Sequence, residues 1–310
     1  MITQSINNSK SDNFFVIQLT RKLIQLCLFA LFIFPNIASS EIITETLPNN
    51  MVVTAEYKLG DPNKPAVIVL HGFLQTYTFL ATQNIIEGLA DLDFTVVGPN
   101  LSLGVPVRKR SLQCDAIHQH TLNDDLNEIS FWLHWLQEKG HNKVIFVGHS
   151  WGSQHALAYL TSHREKSNIV GLVAISLVPS ESNSKLMHNQ LNAINKKGNG
   201  SKETLHKFVL SFCKNYTSTT KSYLSYAEWN DEKLLTALKN ITDSGKPVFT
   251  ILGSADKRLR KKWTKELANA GSKISVIQDA NHFFSSSHEF DLIDELEVAV
   301  KTFSFRLASD

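Results

Sequence analysis

The chain has 310 residues, of which 43% are hydrophobic and 19% charged, a balance typical of a globular protein that buries a large core. Its 31 Lys and Arg against 29 Asp and Glu give a formal net charge of +2, and the charged residues at positions 10, 12, 21 and 22 account for that excess. A chain this close to neutrality lacks the electrostatic footprint of a nucleic-acid-binding protein, so we expect no nucleic acid among its partners.

Residues 1–40 differ in character from the rest. Two basic residues at 21 and 22 precede an apolar run from Leu23 to Ile37, and small residues follow up to Ser40. This pattern predicts a secretory signal peptide, cleaved after Ser39 or Ser40, and therefore a periplasmic or secreted protein. An uncleaved membrane anchor is the alternative, although the run of about fifteen residues is shorter than the roughly twenty that a membrane span needs. Membrane association is expected only if the leader is retained.

Strand and helix patterns then alternate from residue 41 to the C-terminus. Residues 42–47 and 51–58 predict an antiparallel hairpin. Six further apolar runs, separated by helical patterns, predict the strands of a mostly parallel sheet: 66–71, 94–98, 143–148, 169–177, 247–252 and 273–278. The clearest helix has apolar residues at spacings of three and four: Leu122, Leu126, Ile129, Leu133 and Leu136. The fold class is therefore α/β, a central sheet flanked by helices.

The loop after the strand at 94–98 holds Cys114, His118 and His120, and Asp124 and Asp125 lie nearby in the sequence. This spacing invites a metal interpretation. We favour no metal, because the group lacks a matched second set of ligands.

The strand at 144–147 is followed by Gly148, His149, Ser150, Trp151 and Gly152. This is the G-x-S-x-G pattern, in which two glycines let a serine occupy a cramped strand-to-helix turn with its hydroxyl exposed. A five-residue pattern of this kind recurs by chance. Features elsewhere in the chain must therefore show whether it marks a nucleophile.

The strand and helix alternation breaks between about 179 and 245. A structureless loop of that length is improbable in a compact domain, so we predict an inserted helical cap. Its aromatic residues either line a substrate pocket or pack the cap on the core: Phe208, Phe212, Tyr216, Tyr223, Tyr226 and Trp229. Cys213 of this insertion and Cys114 are the two cysteines left after export, and a disulfide between them is one possibility.

Asp256 follows the strand at 247–252, and His282 follows the strand at 273–278. An upstream strand, 66–70, ends in His71, Gly72 and Phe73. Because the carboxyl ends of parallel strands share one edge of the sheet, these positions converge with Ser150.

In this order of motifs the chain resembles the α/β-hydrolase superfamily from about Glu41 onwards. The resemblance implies that Ser150 is the nucleophile, His282 the general base and Asp256 the orienting acid. It implies an oxyanion hole made by the backbone N–H groups of Phe73 and Trp151, with Leu74 as a possible replacement for Phe73. No cofactor and no metal are implied. His71 and His149, inside the motifs, are expected to orient loops.

The predicted activity is hydrolysis of a carboxylic ester, from a small-molecule or lipid-like substrate, through an acyl-enzyme. Lipase, thioesterase and peptidase chemistry on the same scaffold are alternatives, as is a non-catalytic binding protein that retains the fold. The alternative interpretation is that Asp256 caps the next helix, in which case Glu181 or Asp279 is the acid. A run of basic residues follows Asp256. These residues either attract an anionic substrate or form the solvent-exposed face of a helix: Lys257, Arg258, Arg260, Lys261, Lys262 and Lys265.

Overall fold

The computed structural model describes residues 40–163, 168–180, 184–196 and 204–309. Residues 1–39 of the predicted signal peptide lie outside these residues, and only Ser40 at its end is described. Within them, no helix is both long enough and apolar enough to cross a membrane.

Ten strands and eight helices are described. The strands are β1 (Ser40–Thr46), β2 (Val52–Lys58), β3 (Ala66–Leu70), β4 (Val96–Asn100), β5 (Val144–His149), β6 (Ile169–Ile175), β7 (Leu205–Leu210), β8 (Cys213–Thr219), β9 (Val248–Gly253) and β10 (Lys273–Ile277). The helices are α1 (Leu80–Asp91), α2 (Leu122–Glu138), α3 (Trp151–Ser162), α4 (Ser184–Lys196), α5 (Thr220–Ala227), α6 (Asp231–Asp243), α7 (Trp263–Asn269) and α8 (His288–Ser309).

Eight strands form one sheet in the order β1-β2-β4-β3-β5-β6-β9-β10. The pairs β1–β2 and β2–β4 are antiparallel, and all other pairs in the sheet are parallel. The predicted α/β-hydrolase fold, a mostly parallel sheet flanked by helices, is confirmed. The carboxyl ends of β3, β5, β9 and β10 lie at one edge, which is where ligands bind in parallel sheets.

Each central strand buries both of its faces, as a sheet covered by helices on both sides requires. Along β3, Val67 and Val69 face a cluster that includes residues of α1 and α8, whereas Ile68 and Leu70 face a second cluster with residues of α2 and α3. This two-sided burial explains the unbroken aliphatic sequence of the strand.

The inserted segment contains the expected helices and also a feature that the sequence analysis missed. Strands β7 and β8 pair as an antiparallel hairpin, with Leu210 opposite Cys213. Its two-residue turn has Ser211 at φ 52° and lacks the Gly or Asn that usually marks such a turn, so no hairpin signal was visible. Aromatic packing holds the hairpin on α5, because the rings of Phe208 and Tyr223 stack at 4.0 Å.

A disulfide joins the hairpin to the core. Cys114 and Cys213 are bonded, with their Cα atoms 5.4 Å apart. Beside this bond, the N–H of Thr217 donates to Cys114 O at 3.3 Å and the N–H of His118 donates to Thr217 O at 2.8 Å. The cap hairpin is therefore fixed to the loop that precedes α2.

Candidate active site

Ser150 occupies a sharp turn between β5 and α3. Its backbone has φ 56° and ψ −116°, in the left-handed region of φ that non-glycine residues rarely adopt. The N–H of Ser150 donates to Ile175 O at 2.8 Å, which fixes the turn against β6. Although Ser150 is the N-cap of α3, its side chain makes no capping hydrogen bond, so the hydroxyl remains available to another partner.

The two glycines of the motif are required by close backbone contacts. A Cβ added at Gly152 would lie 2.0 Å from Leu70 O, and one at Gly148 would lie 2.4 Å from the backbone of Gly152. No side chain fits at those distances, so the turn depends on both glycines.

The structure brings Ser150, Asp256 and His282 together. Nε2 of His282 lies 3.0 Å from Ser150 Oγ, and Nδ1 of His282 lies 2.6 Å from Asp256 Oδ2. All three residues are buried. They reach one another because each follows the carboxyl end of its strand.

The Asp256 carboxylate is held in its charged form. Burial raises its pKa, but the hydrogen bonds from His282 and from the backbone N–H of Arg258, together with the Arg258 charge, outweigh burial and lower the pKa below its ordinary value. An ionised Asp256 fixes the proton of His282 on Nδ1 and leaves the Nε2 lone pair directed at Ser150.

The structure distinguishes among the three candidates for the acid that contacts His282. Asp256 does not cap a helix, because α7 begins only at Trp263 with Lys262 as its N-cap; the capping interpretation is wrong. Asp279 is exposed at a turn. Glu181 lies outside the described residues.

Phe73 and Trp151, the predicted oxyanion-hole residues, are adjacent. Their ring centroids are 4.5 Å apart. Among the described residues, neither backbone N–H donates to a backbone carbonyl outside the regular helix and strand bonding. Leu74 has φ 58°, and its carbonyl accepts from the N–H of Leu112 at 2.9 Å.

Arg108 and His71 support the loop that carries Phe73. The Arg108 guanidinium donates to Gln75 O at 2.7 Å, to Leu101 O at 2.7 Å and to His71 Nε2 at 3.2 Å. Burial, followed by the nearby Arg108 charge, lowers the pKa of His71 to about 3, so the ring is neutral and accepts at Nε2. Arg108 thus links the loop that carries Phe73 to the loop after β4. The sequence Arg108-Lys109-Arg110 gave no indication of this role.

Two residues that contact His282 were not predicted. Ser176 Oγ donates to the carbonyl oxygen of His282 at 2.7 Å, and Arg258 Nη1 lies 2.9 Å from His282 Nε2. Ser176 directly follows β6 and has φ 50°, a backbone feature invisible in sequence. Arg258 was one of six basic residues, and nothing local distinguished it.

The other members of that basic run do not form a helix face, because residues 257–262 precede α7. Lys257, Lys261, Lys262 and Lys265 are exposed. Arg260 pairs with Asp231 and Glu266. The solvated-helix interpretation is therefore wrong for residues 257–262.

The loop histidines have structural partners in the described part of the chain. The ring of His118 stacks on Tyr216 at 4.3 Å. Asp125 Oδ2 accepts from His155 Nε2 at 2.9 Å and from the Tyr226 hydroxyl at 2.6 Å, and that hydroxyl lies 2.6 Å from His120 Nδ1. This buried network joins α2, α3 and α5. No cluster of three or more potential metal ligands occurs among the described residues.

The tip of the cap hairpin lies against the loop that carries Phe73. The half-exposed ring of Phe212 meets the ring of Phe73 edge-on at 5.6 Å, and Tyr216 packs on Phe73 at 5.8 Å. The remaining cap aromatics, Phe208, Tyr223, Tyr226 and Trp229, are buried. Most cap aromatics therefore pack the cap, whereas Phe212 is half-exposed and contacts Phe73.

Comparison with known proteins agrees with this architecture. A family model described as the alpha/beta hydrolase fold matches residues 65–200. A search of curated protein sequences finds no match to the chain.

Several solved structures share this fold at low sequence identity. Est1E from Butyrivibrio proteoclasticus aligns with a TM-score of 0.60 at 14% identity, over 88% of this chain and all of that one. A thioesterase domain from the curacin biosynthetic pathway aligns at 0.58 and 18% identity, over 85% and 99% of the two chains. A Pyrococcus furiosus esterase aligns at 0.55 and 16% identity, over 87% and 91%.

The strand order, the turn at Ser150 and the matched family model define the class of protein. Residues 65–200 match the alpha/beta hydrolase family model, and the described chain has the α/β-hydrolase fold.

Proposed function

We propose that this protein is a serine hydrolase that cleaves carboxylic esters through an acyl-enzyme. The observation that carries the proposal is the chain of two hydrogen bonds from Ser150 Oγ through His282 to Asp256. A serine hydroxyl is a weak nucleophile at neutral pH unless a base accepts its proton as it attacks, and His282 Nε2 is placed for that transfer.

In the first half-reaction, Ser150 Oγ bonds to the ester carbonyl carbon while its proton passes to His282 Nε2. The carbonyl oxygen becomes negative and accepts hydrogen bonds from the N–H groups of Phe73 and Trp151. When the intermediate collapses, the C–O bond to the alcohol breaks and His282 returns the proton to the departing oxygen.

In the second half-reaction, water attacks the acyl-enzyme and gives its proton to His282. The bond between the acyl carbon and Ser150 Oγ then breaks, and Oγ takes the proton back from His282. This step releases the carboxylic acid. Asp256 stays ionised throughout and stabilises the imidazolium. The chemistry needs no cofactor.

The test is labelling with a fluorophosphonate, which phosphonylates an activated serine, together with hydrolysis of short p-nitrophenyl esters. Wild type is expected to be labelled and active, and Ser150→Ala to be unlabelled with only residual turnover. A matched control is Ser153→Ala, because Ser153 is buried three residues after Ser150 and donates to Gly148 O rather than to His282. Full activity in Ser150→Ala would refute the proposal.

The acyl chemistry of the substrate is a separate question. A panel of ester, thioester and amide substrates distinguishes an esterase from a thioesterase or a peptidase, and longer acyl chains identify a lipase. A binding protein without activity would leave every substrate intact and Ser150 unlabelled.

We also propose that the protein is exported after its leader is cleaved. The Cys114–Cys213 disulfide supports this, because such bonds persist in oxidising compartments. N-terminal sequencing of the mature protein is expected to begin near residue 40; an intact leader would contradict the proposal.

A further inference from the structure

Arg258 makes a contact that conflicts with the proposed role of His282. Its Nη1 lies 2.9 Å from His282 Nε2, and Ser150 Oγ lies 3.0 Å from the same nitrogen. With Nδ1 protonated towards Asp256, Nε2 has a single lone pair, which cannot accept fully from both donors. For Ser150 to be deprotonated, the guanidinium must find another acceptor.

The described residues offer Arg258 no carboxylate. None lies within 4.0 Å of its guanidinium, whereas Arg260, two residues further on, pairs with two acidic residues. The nearest acid, Asp256, already accepts from His282 through Oδ2 and from the backbone N–H of Arg258 through Oδ1. Arg258 thus interacts with the charge of Asp256 at longer range, but its guanidinium has no carboxylate in direct contact among the described residues.

Its surroundings also restrict where the guanidinium can lie. Arg258 is half-buried, and its guanidinium carbon lies 5.8 Å from the ring centroid of Phe283, the residue after the catalytic histidine. Nη1 and Ser150 Oγ are each one hydrogen-bond length from Nε2. They are therefore no more than two such lengths apart, a span covered by a few bonds of a small substrate.

We propose that Arg258 is a specificity-determining residue that selects esters carrying a carboxylate a few bonds from the scissile carbonyl, such as monoesters of short dicarboxylic acids. The substrate carboxylate accepts the guanidinium hydrogen bonds in place of His282, for which the planar fork of arginine is well matched. Nε2 is then free for Ser150. This inference rests on the proposed function, because it concerns the substrate of the same site.

The test compares monoethyl succinate with ethyl levulinate, in which a methyl ketone replaces the carboxylate at nearly the same size. Wild type is expected to show a kcat/KM ratio favouring monoethyl succinate by about tenfold or more, since charge-assisted hydrogen bonds are the stronger ones. In Arg258→Gln the ratio is expected to fall to about one. In Arg258→Glu it is expected to invert.

Lys257→Gln is the matched control. Lys257 is the exposed neighbour of Arg258 and carries the same charge, so this variant reports the general attraction of anions to the basic run. It is expected to keep the wild-type ratio. A ratio that falls equally in Lys257→Gln and Arg258→Gln would overturn the proposal, because long-range charge would then explain the preference.

A second measurement needs no variant. Free glutarate is expected to inhibit ethyl levulinate hydrolysis competitively, and butyrate at the same concentration to inhibit at least about tenfold less. Equal inhibition by the two acids, or a wild-type ester ratio near one in a protein whose Ser150 is labelled by fluorophosphonate, would overturn this inference alone. Absence of both labelling and turnover would overturn the proposed function and this inference with it.

Discussion

His149 Nε2 donates a hydrogen bond of 3.0 Å to the backbone carbonyl of His282, so the residue directly before Ser150 helps to hold His282 in place. Burial, followed by the neighbouring His282 charge, lowers the pKa of His149 to about 3, and its ring is therefore neutral. The same carbonyl accepts from Ser176 Oγ at 2.7 Å. His282 is thus anchored through its main chain by two fully buried residues.

Removing these anchors is expected to lower kcat. His149→Phe and Ser176→Ala each take away one donor to His282 O, which lets the imidazole drift from Ser150, and small misplacements of a catalytic group cost about ten- to a hundredfold in rate. KM is expected to change little, because neither side chain reaches the substrate. Steady-state kinetics on a p-nitrophenyl ester check this.

His149→Gln is the matched variant, since an amide N–H can replace the ring donor. It is expected to recover part of the lost kcat. If kcat is unchanged in both His149→Phe and Ser176→Ala while the proteins remain folded, the two contacts do not position His282.

The Cys114–Cys213 disulfide is expected to contribute substantially to stability. It closes a sequence separation of 99 residues, and cross-links of this kind typically contribute about 2–4 kcal/mol to the free energy of unfolding by restricting the unfolded chain. The Cys114→Ser, Cys213→Ser double variant is expected to lose that amount in urea titrations. Activity is expected to fall as well, because Cys213 follows Phe212, whose ring contacts Phe73.

Reductant supplies the control for that experiment. Dithiothreitol is expected to destabilise the wild type and to leave the double variant unchanged. Equal unfolding midpoints for oxidised and reduced wild type would contradict the assigned role of the bond.

Glu128 makes stability depend on pH. It is buried on α2, and burial raises its pKa to about 7 despite the hydrogen bond of 2.9 Å that its Oε2 accepts from the N–H of Ser102. The folded state therefore binds more protons than the unfolded chain between about pH 4.5 and 7, and this group's stabilising contribution is lost as the pH rises through that window.

Glu128→Gln is expected to remove that loss. The variant and wild type should be about equally stable at pH 5, whereas at pH 8.5 the variant is expected to be more stable by up to about 3 kcal/mol. Urea unfolding at both pH values measures the difference. The histidines buried as neutral rings act in the opposite direction below about pH 6.5, but they are common to both proteins and cancel in the comparison.

Glu138→Gln, on the exposed side of the same helix, serves as the control and is expected to follow the wild-type pH dependence. Parallel pH dependences for Glu128→Gln and wild type would show that the Glu128 carboxyl is not protonated on folding.

The elements and the turn at Ser150 were predictable from sequence because they depend on local patterns. A buried parallel strand needs an unbroken apolar run, and the cramped turn needs Gly148 and Gly152, so both leave signals within a few residues. The order of the motifs then placed Asp256 and His282 at the ends of their strands. The hairpin β7–β8 left no such signal, since its turn residues, Ser211 and Phe212, are not those typical of turns.

The tertiary structure alone decided which side chains meet. Nothing local separates Asp256 from Asp279, or Arg258 from the five other basic residues near it, because the distinction is the distance of each from His282. The pairing of Cys114 with Cys213 was only one possibility until the hairpin was placed beside the loop before α2. Sequence thus determined the fold and the chemical groups of the site through short-range patterns, whereas partners far apart in the chain were fixed by packing of the whole domain.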